Sequence, residues 1–174
     1  MHGFPWVCIS LGLIYKRHSV LGVIYNPFID YLYTGAKGLG SHLTRAGVRR
    51  QLPFAKSPKP LTTLNHAQIA VEWGNDRSLA PLTSRSKSFH KLAGDESVEG
   101  GKMVHALRSL GSSAMNFATV AQGGLDLYWY VSVISVFVLT DQEAGKLAAG
   151  LGTLALVLFI AQEAGCLVTG FHQT

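Results

Sequence analysis

Alternating apolar and polar residues predict β structure in the first part of the chain. From Trp6 to Tyr15 every second residue is apolar, as a half-buried strand requires, and Val20 to Tyr25 resumes the apolar pattern after a polar turn. These segments predict a β-hairpin that ends at Asn26-Pro27. Tyr31 to Thr34 predicts a further short strand. We therefore expect residues 1–60 to form an antiparallel β portion.

The pattern changes in the second part of the chain. Arg45 to Leu61 is polar, basic and rich in proline, which predicts a loop. Beyond it, Gln68 to Glu72 and Met103 to Leu107 predict buried strands, and Ser84 to Leu92 predicts a helix or a loop. Residues 61–174 are therefore expected to form an α/β portion.

A helical period begins after Gly111. Ser112 and Ser113 stand at the expected helix start, and Gly123-Gly124 is expected to end the helix before a strand from Leu125 to Trp129. A serine at this place caps free backbone N–H groups, and the same groups at the positive end of the helix dipole form a site for an anion. Spacing alone leaves plain capping and anion binding both open. The predicted core face consists of Ala114, Phe117, Ala118 and Ala121.

Composition restricts the class of protein. With 174 residues, 48% of them hydrophobic, the chain is expected to form one globular domain. The net charge of +5 is spread over loops, and the sequence has no segment in which arginines alternate with aromatic residues. Nucleic acid is therefore not an expected partner. The seven histidines show no metal-ligand spacing. The cysteines are Cys8 and Cys166 alone, both flanked by apolar residues, which favours reduced thiols and a cytoplasmic location.

Five blocks of this sequence, taken together, carry a resemblance to a known family. The blocks are HGFPWVCISLGLIY, LGVIYNPFIDYLYTGAKGLGSHL, IAVEWGNDR, GKMVHALRSLGSSAMNFATVAQGGLDLYW and IAQEAGCLVTG. In this order and spacing they resemble the inositol monophosphatase family. The resemblance implies a layered αβαβα sandwich, here partial, and a magnesium-dependent phosphomonoesterase, usually a homodimer, that hydrolyses inositol monophosphate or a similar small phosphorylated substrate.

The resemblance also implies where metal ligands are expected. The family takes its carboxylates from an upstream glutamate, from an Asp-Pro-x-Asp-Gly-Thr motif just before the block that starts at His2, and from a Trp-Asp pair after the strand that ends at Trp129. This sequence contains none of the three, and Tyr130 stands where the family has a glutamate that contacts the inositol hydroxyls. No metal ligand or catalytic residue is therefore expected here.

The remaining site residues implied by the resemblance face the substrate. They are Gly111, Ser112 and Ser113 at the helix start, with Tyr130 in the place of the glutamate and Arg108 and Asp126 in support. Two functions follow: a magnesium-dependent inositol phosphate phosphatase, or a catalytically inactive truncated member that acts as a remnant or an interaction partner.

The segment 131–159 matches no block of the family. Its apolar runs, Val131 to Leu139 and Leu147 to Ala161, fall short of the ~20 residues that span a bilayer, so no membrane association is expected. Two explanations remain open. The segment is either a diverged insertion or the product of a reading-frame shift, since codons for residues 152–158 shifted by one base can spell the family's Trp-Asp block.

Overall fold

The structure is a computed structural model that describes residues 3–16, 18–55, 61–74, 76–130, 135–139 and 159–171. The other residues, which include most of the segment 131–159, lie outside this description. Within the described ranges, no helix has the length and apolar character needed to cross a membrane.

The N-terminal third forms a five-stranded antiparallel sheet, sheet A. Its strands pair in chain order, β1-β2-β3-β4-β5. The predicted hairpin is confirmed, and the strands of this sheet are antiparallel as expected. The strands are β1 (Ile9–Tyr15), β2 (His18–Asn26), β3 (Tyr31–Ala36), β4 (Gly40–Arg45) and β5 (Val48–Gln51).

The fifth strand is a difference from the sequence prediction. Arg45 to Leu61 was predicted to be a loop, but Val48–Gln51 pairs with β4 across a tight turn at Ala46-Gly47. All four residues of β5 are exposed, so the strand has no buried face and no apolar alternation that would mark it.

The second sheet, sheet B, is mixed. Its strand order is β10-β9-β8-β6-β7; β6 runs parallel to β7 and β8, and β9 runs antiparallel to β8 and β10. The segment Ser84 to Leu92, predicted to be a helix or a loop, is part of a longer helix, and the strand predicted at Met103 to Leu107 begins later. The elements are η1 (a single 3₁₀ turn, Leu64–His66), β6 (Gln68–Val71), α1 (Leu79–Ala93), β7 (Ala106–Arg108), α2 (Ser113–Ala121), β8 (Leu127–Tyr130), β9 (Ser135–Leu139) and β10 (Leu167–Phe171).

Helix α2 lies between the two sheets. Seven of its nine residues are buried. The ring of Phe117 packs edge to face against the ring of Tyr128 on β8, with the two ring centroids 4.8 Å apart. Residues 159–163 are also helical, and Ile160 belongs to the same core. On the opposite face of sheet B, Leu92 of α1 packs against a second apolar cluster that includes Ile69 of β6. The layers are therefore sheet, helix, sheet, helix, and the mixed α/β class predicted from the sequence is confirmed.

One face of sheet A at β1 carries exposed apolar side chains. The residues on alternate positions of this strand are between 55% and 62% exposed, although they are apolar. The opposite face of the sheet contacts α2 through residues such as Ile24, which is fully buried. Sheet A is thus apolar on the face that packs against α2 and also carries apolar side chains on the outer face of β1. The exposed residues of that edge are Ile9, Leu11, Leu13 and Tyr15.

We predict that Tyr33→Phe lowers the free energy of unfolding by about 1–2 kcal/mol, because it removes a partly buried hydrogen bond between sheet A and the end of α2. Tyr33 is 1% exposed, and its hydroxyl donates to Gln122 Oε1 at 2.8 Å. Urea unfolding followed by circular dichroism measures the change.

The matched control is Tyr15→Phe, because the Tyr15 ring is 62% exposed. Its effect should stay within about 0.5 kcal/mol. Equal losses in the two variants would show that the Tyr33 hydroxyl contributes nothing specific.

Candidate functional site

The start of α2 lies at the C-terminal end of strand β6. Ser112 is the N-cap residue, with extended backbone angles, and its Oγ accepts a hydrogen bond from the Met115 N–H at 3.4 Å. The capping role predicted for Ser112 is thus seen directly. Ligand sites in α/β proteins usually lie at the carboxyl ends of parallel strands, so this end of sheet B is where a ligand site is expected.

Glu72 connects the end of β6 to the start of α2. Its side chain is 7% exposed, and its carboxylate accepts hydrogen bonds from four groups between Ser109 and Asn116. The donors to Oε1 are the N–H of Leu110 at 2.9 Å, the N–H of Gly111 at 2.8 Å and Asn116 Nδ2 at 2.8 Å; Ser109 Oγ donates to Oε2 at 3.2 Å.

These contacts modify the anion site expected from the sequence. The N–H groups of Leu110 and Gly111 already have a carboxylate acceptor. The N–H groups of Ser113 and Ala114 belong to the first turn of α2 and have no intrahelical acceptor. The Ser113 hydroxyl is held by Tyr128, whose OH donates to Ser113 Oγ at 2.9 Å. The donors that can face an anion are therefore those of the first helical turn.

A cavity of about 500 Å³ opens beside this helix start. Arg77 brings a cationic side chain to its lining, and Arg77 Nε donates to the Gly74 carbonyl at 3.0 Å. The combination of a helix N-terminus and a guanidinium suits a small anionic ligand. The lining residues are Phe4, Glu72, Trp73, Gly74, Arg77, Ser109, Leu110, Gly111 and Ser113.

The supporting residues predicted from the sequence lie elsewhere. Asp126 precedes β8, and its Oδ2 accepts a hydrogen bond from the Gln68 N–H at 2.8 Å. Gln68 is the first residue of β6, so this contact lies at the opposite end of the strand from the start of α2. The Arg108 guanidinium donates to Gln68 Oε1 at 3.2 Å. Both contacts involve Gln68, so the structure does not bring these two side chains to the cavity. Tyr130 is the last residue of β8; its side chain lies outside the described part.

Glu72 and the residues near the N-terminus were missed by the sequence prediction. Asn26, fully buried, donates through Nδ2 to the Pro5 carbonyl at 2.7 Å, and Cys8 Sγ lies 3.9 Å from Ser112 Oγ. These contacts fix residues 3–8 beside the start of α2. Burial raises the pKa of the Cys8 thiol, and its contact with the Ser112 hydroxyl partly offsets that effect.

The described residues do not fit a magnesium site. No group of three or more His, Cys, Asp or Glu side chains that could hold a metal ion occurs among them. Glu72 is the carboxylate of the cavity lining, and three donors already occupy its Oε1. Magnesium prefers several oxygen ligands in octahedral geometry, which this single hydrogen-bonded carboxylate does not provide.

Comparisons with known proteins agree on one family. Residues 1–145 match the inositol monophosphatase family, so the match extends past Trp129 into the segment that was expected not to match. The quinic acid degradation cluster protein x of Neurospora crassa is 33% identical over 177 residues, covering 97% of this chain and 45% of that protein. Inositol monophosphatase 2 of Saccharomyces cerevisiae is 36% identical over 129 residues, covering 74% of this chain and 41% of that protein.

A solved structure shows the same fold. Mycobacterium tuberculosis SuhB superposes with a TM-score of 0.69 at 21% identity, covering 97% of this chain and 60% of that one. The chain spans 41% to 45% of the length of the two curated relatives.

We predict that Ser112→Ala lowers the free energy of unfolding by about 1 kcal/mol, because it removes the side-chain cap of α2. The control is Ser78→Ala: Ser78 is the N-cap of α1, but its side chain accepts no cap hydrogen bond. Thermal unfolding of the two variants provides the measurement. A loss at Ser78 as large as that at Ser112 would contradict the assignment.

We predict that iodoacetamide at pH 8 modifies Cys8 well before Cys166. Burial raises the pKa of Cys166 to about 12, and the side chain is 3% exposed, so both the thiolate fraction and the access are small. Cys8 is half-buried. Mass spectrometry of timed samples measures both rates, with urea-unfolded protein as the control in which the two rates converge. Equal rates in the folded protein would show that Cys166 is not buried.

Proposed function

The chain belongs to the inositol monophosphatase family, and on that premise we propose that it serves the hydrolysis of a small phosphate monoester such as inositol monophosphate. The family match over residues 1–145 carries the proposal. The relatives named inositol monophosphatase support the substrate class.

The contribution proposed for this chain is to bind the substrate phosphate. Gly111, Ser112 and Ser113 form the start of α2, where the helix dipole and the first-turn N–H groups favour an anion. Arg77 lies in the lining of the same cavity and would add a positive charge. These groups bind and orient a phosphate without forming or breaking a bond to it.

Hydrolysis in this family is expected to depend on magnesium, which would activate water and neutralise charge on the phosphate. The described residues of this chain do not provide its ligands. We therefore propose no catalytic step for the side chains of this cavity.

A second function is favoured by the exposed β1 edge. The 174-residue chain by itself would be inactive and would act as an interaction partner of intact homologues. Apolar side chains such as Leu11, 62% exposed, and Leu13, 55% exposed, are the kind of surface that binds another protein.

Incubation of the chain with inositol monophosphate and magnesium separates the two functions. The second function predicts no release of inorganic phosphate above a no-protein control. Magnesium-dependent release that EDTA abolishes would show that the chain is itself a phosphatase, and would contradict the second function.

Binding is tested separately by titrating the protein with inorganic phosphate and following the amide signals of Ser113 and Ala114. We predict that Gly111→Ala weakens binding at least fivefold, because Gly111 has φ +82° and a left-handed residue there sets the direction of the helix start. The matched control is Gly123→Ala, at the other end of α2 with φ +83° and with equally open space around the added carbon.

Both glycine variants should lose similar stability, of about 1 kcal/mol. Only Gly111→Ala should lose phosphate affinity. Equal affinities in the two variants would place the phosphate somewhere other than the start of α2.

A further inference from the structure

A second cavity, of about 240 Å³, lies on sheet A and is lined by aromatic and cationic side chains. The aromatic rings are those of Tyr31 and Phe54, and the cations are Arg45 and Arg50. The cavity borders the C-terminal end of α2, where the Phe54 N–H donates to the Gln122 carbonyl at 3.4 Å. It shares no lining residue with the cavity at the start of α2.

The strand register places both arginines on the core face of sheet A. Leu43 of β4 is paired with Tyr33 of β3 and with Arg50 of β5, and residues at opposed positions share a face. Arg45 stands two residues after Leu43 and is paired with Val48, so these side chains belong to the same face. Tyr33 and Leu43 are buried in the core that includes α2. The two guanidinium groups therefore stand at the margin of an apolar surface.

The positive charges of this cavity are not balanced by acidic side chains. The Arg45 guanidinium lies over the Tyr31 ring, with its Cζ 5.1 Å from the ring centroid, which holds the cation beside the cavity. Within the described ranges, neither Arg45 nor Arg50 forms an ion pair with a carboxylate. Asp30 lies near the same turn, but its Oδ2 accepts the Ala46 N–H at 3.0 Å and the residue is not part of the lining. Two cations in one concave surface attract an anion.

We propose that this cavity binds a small aromatic carboxylate. A cavity of about 150 Å³ is large enough for a benzene ring, so 240 Å³ leaves room for one ring and its carboxylate. The ring would pack on Leu43 between the aromatic side chains of Tyr31 and Phe54. The carboxylate would accept hydrogen bonds from the guanidinium groups, whose planar geometry matches its two oxygens. The proposal concerns binding alone and does not depend on the phosphate site.

Titration of the 174-residue protein with benzoate tests the proposal, followed through the amide signals of Ala46 and Val48. We expect saturable shifts. Acetate has the charge without the ring and benzyl alcohol has the ring without the charge, so each should bind about fivefold more weakly or worse. Acetate binding as tightly as benzoate would overturn the role of the aromatic rings, and benzyl alcohol binding as tightly would overturn the role of the arginines. The absence of saturable shifts with benzoate would overturn the site itself.

A pair of neighbouring arginines separates specific binding from general attraction to a basic protein. Arg50→Gln should raise the Kd for benzoate about fivefold, because it removes one of the two guanidinium groups of the lining. The control is Arg49→Gln: Arg49 precedes it on β5, but its side chain lies on the other face, 3.2 Å from His42 Nδ1. Both arginines are exposed, so both variants should keep the fold, which circular dichroism checks. Equal benzoate affinities in the two variants would overturn the proposal, because they lose the same charge.

Discussion

The burial of α2 on all sides is the constraint on which the rest of the structure depends. With sheet A against one side and sheet B against the other, the helix buries seven of its nine residues, so its polar side chains depend on hydrogen-bond partners within the protein. Thr119 bonds back to the Met115 carbonyl at 2.7 Å, and Asn116 bonds to Glu72. A helix held in this way cannot move its N-terminus independently of the two sheets. The candidate site is therefore built on an element that both sheets hold in place.

Glu72 provides the hydrogen-bond acceptor by which sheet B holds the start of α2. A carboxylate that is 7% exposed would be costly to bury without partners, and its four hydrogen bonds offset that cost. The same bonds satisfy two backbone N–H groups ahead of the helix that would otherwise lack acceptors. The charge and the helix start thus stabilise each other, and removing either leaves polar groups buried without partners.

The sequence predicts those parts of the fold whose information is local. The alternation in β1 and β2 and the helical spacing from Ala114 to Ala121 are read directly, because each depends on neighbours a few residues away. Strand β5 escapes prediction because neither of its faces is buried.

The candidate site is harder to predict for the same reason. Ser112 is recognisable because a cap acts within its own helix. Glu72 looks like the ordinary end of a buried strand, and its partners lie 37 to 44 positions away. Asp126 shows the opposite case: it is close to α2 in sequence, but its carboxylate accepts the Gln68 N–H at the far end of β6.

The interaction that orders the site also limits what the site can do. Hydrolysis of a phosphate ester requires positive charge that stabilises the transition state more than the bound substrate. At this cavity the helix dipole and Arg77 contribute positive potential, whereas Glu72 places a fixed negative charge in the lining. In the proposed site, first-turn N–H groups would contact a phosphate oxygen in the ground state as well as in the transition state, and would therefore favour binding more than turnover. In the family's reaction, magnesium would supply the additional positive charge beside the phosphate. The role proposed for the start of α2 is therefore limited to binding and orientation and does not include bond cleavage.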